Sequence, residues 1–288
     1  VSDNNFDAYS PAEMAARVEQ VGVVKANMPL FRMGTLGVLA GTFIAMGSVY
    51  FLTVTAETKT GFGIGQLLGG LVFSLGLILV VIGGAELFTG NNLIIMAVVS
   101  RKIPVSLLLR NWVIVFLGNF LGALSVAAIC YWAQHWAAGG NVVGARALAV
   151  GVAKVTLPFW VAFWRAVLCN VLVCLAVWLC SAARTVTDKI LAIIFPISAF
   201  VAAGFEHSVA NMFFIPYAIW LKGQPAVTTA ANLPPEKLAQ LDWLGFVGNL
   251  VPVTLGNIVG GAVLVGLVYW ICYLWDGQSW PFRRKTAA

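Results

Sequence analysis

Charged side chains are scarce in this 288-residue sequence: Asp, Glu, Lys and Arg make up 10% of it, against about 25% in soluble domains. With 60% of residues apolar, a water-soluble fold is excluded. Histidine is nearly missing, at two residues, which argues against bis-histidine haem ligation across spans. The five cysteines, Cys130, Cys169, Cys174, Cys180 and Cys272, are odd in number and never spaced CxxC. They predict neither a disulfide framework nor a metal site. No cofactor or metal is expected, and no enzyme activity; a membrane redox protein or scaffold is the rival from another class. No basic cluster is long enough to follow a phosphate backbone, so nucleic acid is set aside despite a net charge of +6. The start of the chain is polar and holds Asp3, Asp7, Glu13 and Glu19, unlike the basic and then apolar start of a signal peptide. Export is not expected.

What is abundant is long apolar runs. They cover 33–56, 60–100 with only Glu86 inside, 111–145, 166–183, 190–221 with only Glu206 inside, and 243–275. About 20 apolar residues cross a bilayer core, so six membrane segments are predicted and membrane lipid is the expected solvent. Placing both termini in the cytoplasm puts eleven cations there: Arg17, Lys25, Arg32, Arg101, Lys102, Arg110, Arg184, Lys189, Arg283, Arg284 and Lys285. Lys59, Arg146, Lys154, Arg165, Lys222 and Lys237 fall on the periplasmic side, in accord with the positive-inside rule. Ser10-Pro-Ala-Glu13 reads as a capping box opening an amphipathic helix over 10–26 at the cytoplasmic mouth. It is an interfacial anchor or a gate. Residues 277–288 form a polar tail.

Internal similarity is the most informative feature. VGVVKANMPLF at 21–31 returns as VGVAKVTLPFW at 150–160, GAELFTGNNL at 84–93 as GFEHSVANMF at 204–213, and GNFLGA at 118–123 as GNIVGG at 256–261. The chain reads as a duplication, with a first repeat over 21–136 and a second over 150–276. Three spans per copy is an odd number, so the second copy enters the membrane inverted. In inverted repeats the solute path lies near the midplane, lined by interrupted helices at equivalent positions. The run 60–100 is indeed too long for one crossing, and it predicts a break across Gly83–Asn92, matched by one across Ala203–Asn211. Irregular backbone at that depth needs burial in protein or a watery cavity. Small-residue spacings at Gly37/Gly41, Gly61/Gly65/Gly69, Gly118/Gly122 and Gly256/Gly260 suit close helix packing.

Glu86 and Glu206 are carboxylates inside apolar spans, and each needs a partner. Lys25 and Lys154 stand at equivalent positions ahead of the first and fourth spans, and the pairs expected are Lys25 with Glu86 and Lys154 with Glu206. His207 departs from the repeat, its counterpart being Leu87. A midplane imidazole can donate a hydrogen bond or lend a proton to a small anion. His135, near Trp132 and Trp136, reads as part of an interfacial aromatic belt. A water pore of the aquaporin type would show paired Asn-Pro-Ala sequences, and an ammonium-type pore two midplane histidines. One histidine with two vestibule lysines suits a small monovalent anion or its neutral acid.

GAELFTGNNL, GFEHSVANMF, VTLGNIVGG and VGVxKxxxP together resemble the signatures of the formate/nitrite transporter family over essentially the whole chain. The resemblance implies an all-α, aquaporin-like protomer of six transmembrane helices, the second and fifth interrupted, assembled as a homopentamer in the bacterial inner membrane. It implies passage of formate first, then nitrite, hydrosulfide or related small acids such as acetate and lactate. It places Leu77, Leu87, Phe88 and Val173 at a cytoplasmic constriction and Phe73 and Phe200 at a periplasmic one. Asn170, Thr89 and His207 lie between or beside them, Thr89 bonding His207 or the anion, and Asn257 joins the Lys154–Glu206 network. Glu86 stands where enterobacterial formate channels usually carry Asp.

Overall fold

The computed structural model describes residues 7–57, 61–275 and 277. Lys59, Arg283, Arg284, Lys285 and nearly all of the 277–288 tail lie outside the described residues. The described residues form helices and connecting turns, with no strand among them.

Helix α1 (Pro11–Ala26) opens as its sequence requires: Ser10 N–H donates to Glu13 Oε2 at 2.7 Å, and Glu13 N–H donates back to Ser10 Oγ at 3.5 Å. Three long helices follow prolines at their N-caps: α2 (Leu30–Thr55), α5 (Val105–Trp132) and α7 (Phe159–Ala182). At a helix start the missing proline N–H costs nothing. Helix α3 (Phe62–Gly83) stops at Gly84, whose φ of 74° is left-handed, a conformation open to glycine. Six residues later the chain re-enters helix through a 3-10 turn (Gly90–Ile94) and α4 (Ile95–Val99). After α6 (Val142–Val155) and α7, the same course is taken by α8 (Val186–Ala202), which ends just before the left-handed Gly204, and α9 (Ser208–Leu221). Both interruptions fall inside the stretches that length and glycine content mark out.

Short helices α10 (Pro225–Ala231) and α11 (Pro235–Ala239) lead to a last rod spanning Trp243–Tyr273. It runs through α12 (Trp243–Ile258), a π-helical stretch (Val259–Leu267) and α13 (Val268–Tyr273). Among the described residues, five helices are long and apolar enough to cross a membrane: α2, α3, α5, α7 and this rod. Much of their outer surface is apolar and exposed, including Val113, Leu117, Leu121, Trp164, Leu168 and Leu255, as expected of a chain whose solvent is lipid.

The halves pack alike. Helix α2 lies along α5 and α3, as α7 lies along α12 and α8. The small residues set these crossings: a Cβ on Gly41 would fall on Asn119 O, one on Gly122 on Val38 O, and one on Gly260 on Val167 O. Gly61 departs from the expected packing role, standing in open space at the N-cap of α3. Helix α1 lies across one end of the bundle, burying Met14, Ala15, Val18 and Gly22 against α4, α5 and α7. Its apolar side therefore meets protein instead of lipid. An ion pair from Glu19 to Lys102 and the Tyr9 ring, held between Arg17 at 3.9 Å and Arg184 at 3.6 Å, fix it there. Helix α6 covers α9 in the same way.

Candidate functional site

Each interrupted helix leaves backbone groups without helical partners, and at membrane depth these must be satisfied by protein. Two asparagines do this. Asn119 on α5 accepts from Phe88 N–H through Oδ1 (2.9 Å) and donates through Nδ2 to Gly37 O (2.7 Å) and Glu86 O (2.9 Å). Asn257 on α12 repeats the pattern, accepting from Ser208 N–H (2.9 Å) and donating to Ala166 O (2.8 Å) and Glu206 O (3.0 Å). Asn257 thus holds the backbone of Glu206 and has no direct bond to Lys154.

A second asparagine pair serves the carboxylates. Lys25 Nζ lies 3.0 Å from Glu86 Oε1, and Glu86 Oε2 accepts from Asn91 Nδ2 at 2.7 Å. Asn91 Nδ2 also donates to Asn111 Oδ1, and Asn111 Nδ2 to Lys25 O. In the other half Lys154 Nζ lies 2.9 Å from Glu206 Oε1, Asn211 Nδ2 is 2.7 Å from Glu206 Oε2, and Asn249 bridges Asn211 to Lys154 O. Each buried acid is paired and hydrogen-bonded at once, the condition under which a buried charge is tolerated. Asn111 and Asn249 went unnoticed in the sequence. Their signal is an asparagine eight residues before each GN motif, in RNWV and in GNLV.

Two cavities open at opposite ends of the bundle. One, of about 340 Å³ beside α1, is lined by Arg17, Lys25, Lys189, Glu86, Leu77 and Leu87 among others. The other, of about 320 Å³ beside α6, is lined by Arg146, Lys154, Arg165, Glu206, Phe73, Phe200 and His207. In each, three cations face one carboxylate, and that carboxylate is already committed to a lysine. Between the cavities lies a seam of buried side chains. Phe73 and Phe200 meet edge to face at 5.7 Å, and Phe200 stacks on His207 at 5.9 Å.

Of the residues expected at the first constriction, Leu77 and Leu87 line the α1-side cavity, but Phe88 and Val173 line neither. The bond from Phe88 N–H to Asn119 draws this part of the break against α5, where the ring packs on Phe116 (5.0 Å) and Trp112 (6.1 Å). Val173 is buried on α7 within the packed core.

His207 is 2% exposed and caps α9. Ala210 N–H donates to its Nδ1 at 3.1 Å, and Nε2 lies 2.9 Å from Thr89 Oγ1. Because Nδ1 accepts, the neutral ring carries its proton on Nε2 and donates it to Thr89. The Thr89 hydroxyl then has its own hydrogen to offer, with no other acceptor among the described residues. Thr89 is held from behind: its carbonyl accepts from Asn170 Nδ2 (3.2 Å) and from the Cys174 thiol (3.3 Å). The bond from Asn170 to Thr89 O links the two halves, and within the second half Asn170 also reaches Asn257 O at 2.7 Å. His207, Thr89 and Asn170 occupy positions where the repeat partners are Leu87, Val209 and Gly41. His135 sits apart, near Thr53 Oγ1 at 3.1 Å. Among the described residues no cluster of His, Cys, Asp and Glu could hold a metal ion.

The formate/nitrite transporter family model matches residues 12–271. The chain is 41% identical to the formate channel FocA of Escherichia coli (strain K12) over 277 residues, covering 95% of this chain and 97% of that protein. It is 42% identical over 264 residues to the formate channel FocA of Haemophilus influenzae (strain ATCC 51907 / DSM 11121 / KW20 / Rd), covering 90% and 93%. A solved pentameric formate channel with formate bound superposes with a TM-score of 0.79 at 41% identity, over 85% of this chain and 98% of that one. An ion channel described as of the FNT family gives 0.74 at 30% identity, over 91% and 98%. With its interrupted helices, paired carboxylates and two cationic cavities, the chain is a multi-pass membrane protein that belongs to the formate/nitrite transporter family, a family of transporters and not of enzymes.

Proposed function

We propose that this chain passes small monovalent anions across a bacterial inner membrane, formate first, with nitrite and hydrosulfide next. The observation that carries the reading is the threefold excess of cations over carboxylates in both cavities, with a buried His207–Thr89 pair at the seam between them. The chain forms two inverted repeats, 21–136 and 150–276, with both termini cytoplasmic, so the α1-side cavity faces the cytoplasm and the α6-side cavity the periplasm. The likeness to a pentameric formate channel supports a homopentamer with one conduit in each protomer.

The mechanism follows from the site. Anions gather in each cavity because its three cations, Arg17, Lys25 and Lys189 or Arg146, Lys154 and Arg165, outnumber its one carboxylate. They then shed water at Leu77 and Leu87 on one side or at Phe73 and Phe200 on the other. At the seam the Thr89 hydroxyl, polarised by His207 Nε2–H, donates to the anion, while Asn170 and Asn257 hold the loops in register. Free formic acid, with a carboxyl pKa of roughly 3.5 to 4, is about one part in a thousand or less at neutral pH, so a neutral permeant needs a proton supplied locally. Only a doubly protonated His207 ring can supply it, and its Nδ1–H displaces the Ala210 N–H cap. Proton lending is thereby tied to loosening the first turn of α9.

Formate uptake into proteoliposomes holding the unsubstituted chain or His207→Phe tests this. The variant is expected to lose pH-dependent uptake, and full pH-dependent flux in it overturns the relay. A parallel panel of formate, nitrite, hydrosulfide, acetate and lactate ranks the solutes; no flux of any of them overturns the transport reading.

A further inference from the structure

Of the three cations in the α6-side cavity, Lys154 is committed to Glu206 and Arg165 is exposed. Arg146 differs from both: it is held in place without being neutralised. Its Nε donates to Thr55 Oγ1 at 3.1 Å, and its guanidinium stands 5.5 Å from the centroid of the Phe51 ring. Thr55 is 5% exposed and gives its own hydroxyl hydrogen to Phe51 O at 2.8 Å, which leaves its lone pairs for the arginine. No acceptor meets either Nη nitrogen among the described residues, and the carboxylate of this cavity, Glu206, is already bonded to Lys154, Asn211 and Asn249.

A guanidinium tethered through Nε presents its two Nη groups as a rigid pair of parallel donors. That fork matches the two oxygens of a carboxylate, whereas an ammonium offers only a point charge. Resting on the functional reading above, we propose that Arg146 is a capture site for planar carboxylates at this mouth. The anion docks on the Nη edge while still hydrated, in a cavity of about 320 Å³, and then moves to Lys154, eight residues further along α6, about 12 Å at 1.5 Å per residue. Arg17 stands at the repeat-equivalent position, eight residues before Lys25, but lies on Tyr9, with no acceptor for its Nε among the described residues. The fork thus belongs to the α6 mouth, and the α1 mouth attracts by charge.

The test is initial uptake against concentration in proteoliposomes holding the full chain, unsubstituted or as Arg146→Lys, Arg146→Gln or Thr55→Val, with hydrosulfide as an anion lacking paired oxygens. Arg146→Lys keeps the charge and loses the fork. It is expected to raise the half-saturating formate concentration about tenfold, the size of one lost charge-assisted hydrogen bond, with the maximal rate and hydrosulfide uptake unchanged. Thr55→Val, which frees Nε and leaves the charge, is expected to raise it about threefold. Arg146→Gln is expected to weaken both anions. Unchanged half-saturation for formate in both Arg146→Lys and Thr55→Val, or equal weakening of formate and hydrosulfide by Arg146→Lys, overturns the inference while leaving formate transport standing. Absence of formate uptake by the unsubstituted chain overturns the functional reading and this inference with it.

Discussion

Replacing Lys154 by Met keeps the length of the side chain and removes its charge, leaving Glu206 as a carboxylate 4% exposed in the interior. Removing one partner of a buried ion pair costs about 3–5 kcal/mol. Glu206 keeps its bond from Asn211 at 2.7 Å, which places the cost near the lower end, about 3 kcal/mol. At roughly 2–4 °C per kcal/mol for chains approaching this size, the unfolding midpoint should fall by about 6–12 °C. Lys25 offers an internal comparison, since its side chain is 27% exposed against 13% for Lys154. Water therefore screens the first pair more, and Lys25→Met should cost about half as much. The double variant Lys154→Met/Glu206→Gln removes the stranded charge and keeps an acceptor for Asn211, so it should recover most of the loss and give a coupling of about 2 kcal/mol. The assay is thermal unfolding of the purified protein followed by tryptophan fluorescence. A Lys154→Met midpoint within a degree or two of the unsubstituted chain, or a double variant no more stable than the single one, would refute the reasoning.

Gly260→Ala drives a methyl group onto Val167 O, so α7 and the π-helical stretch Val259–Leu267 must separate. A loss of about 1–3 kcal/mol is expected, as for other overpacked sites, read as a lower midpoint in the same assay, whereas Gly248→Ala, which meets open space, should change little. Thr89→Val removes the acceptor of His207 Nε2–H and the donor to the anion while keeping the shape. Formate flux should fall about tenfold or more in proteoliposomes with the fold intact; normal flux would exclude the hydroxyl from conduction. At the start of α1, the Ser10 hydroxyl, chiefly, and the Ser10 N–H hold the Glu13 carboxyl below its ordinary value. A lowered folded value stabilises the cap above the ordinary carboxylate range, and the effect is lost only as pH falls through the lowered value. Hydrogen exchange in the first turn of α1 should therefore be the same at pH 7 and pH 5.5 once corrected for intrinsic rates, and Glu13→Gln should raise it at both.

Much of the architecture was legible because lipid leaves few alternatives. A run of 41 residues at 60–100 cannot remain one straight helix inside a bilayer, and two acids in apolar spans demand cations, which the repeat supplies at Lys25 and Lys154. What resisted reading was direction. Nothing in the pattern around Phe88 says that its ring turns towards Phe116, because that follows from a bond between its backbone and Asn119, 31 residues away. The clasps by Asn111 and Asn249 were hidden for a related reason: an asparagine inside a helix looks like an ordinary polar substitution until a break elsewhere needs its amide. Arg146 was counted only as a periplasmic charge, since its tether depends on α6 meeting the end of α2.

The asparagine clasps occur twice, whereas His207, Thr89 and Asn170 each occur once, on positions whose counterparts are Leu87, Val209 and Gly41. On the functional reading proposed above, the seam that meets the solute is therefore drawn from unmatched positions, while the clasps that hold the breaks are drawn from matched ones. A lineage built on this plan can retune what it admits by altering a few unmatched positions, while the matched asparagines continue to hold the helix bundle together.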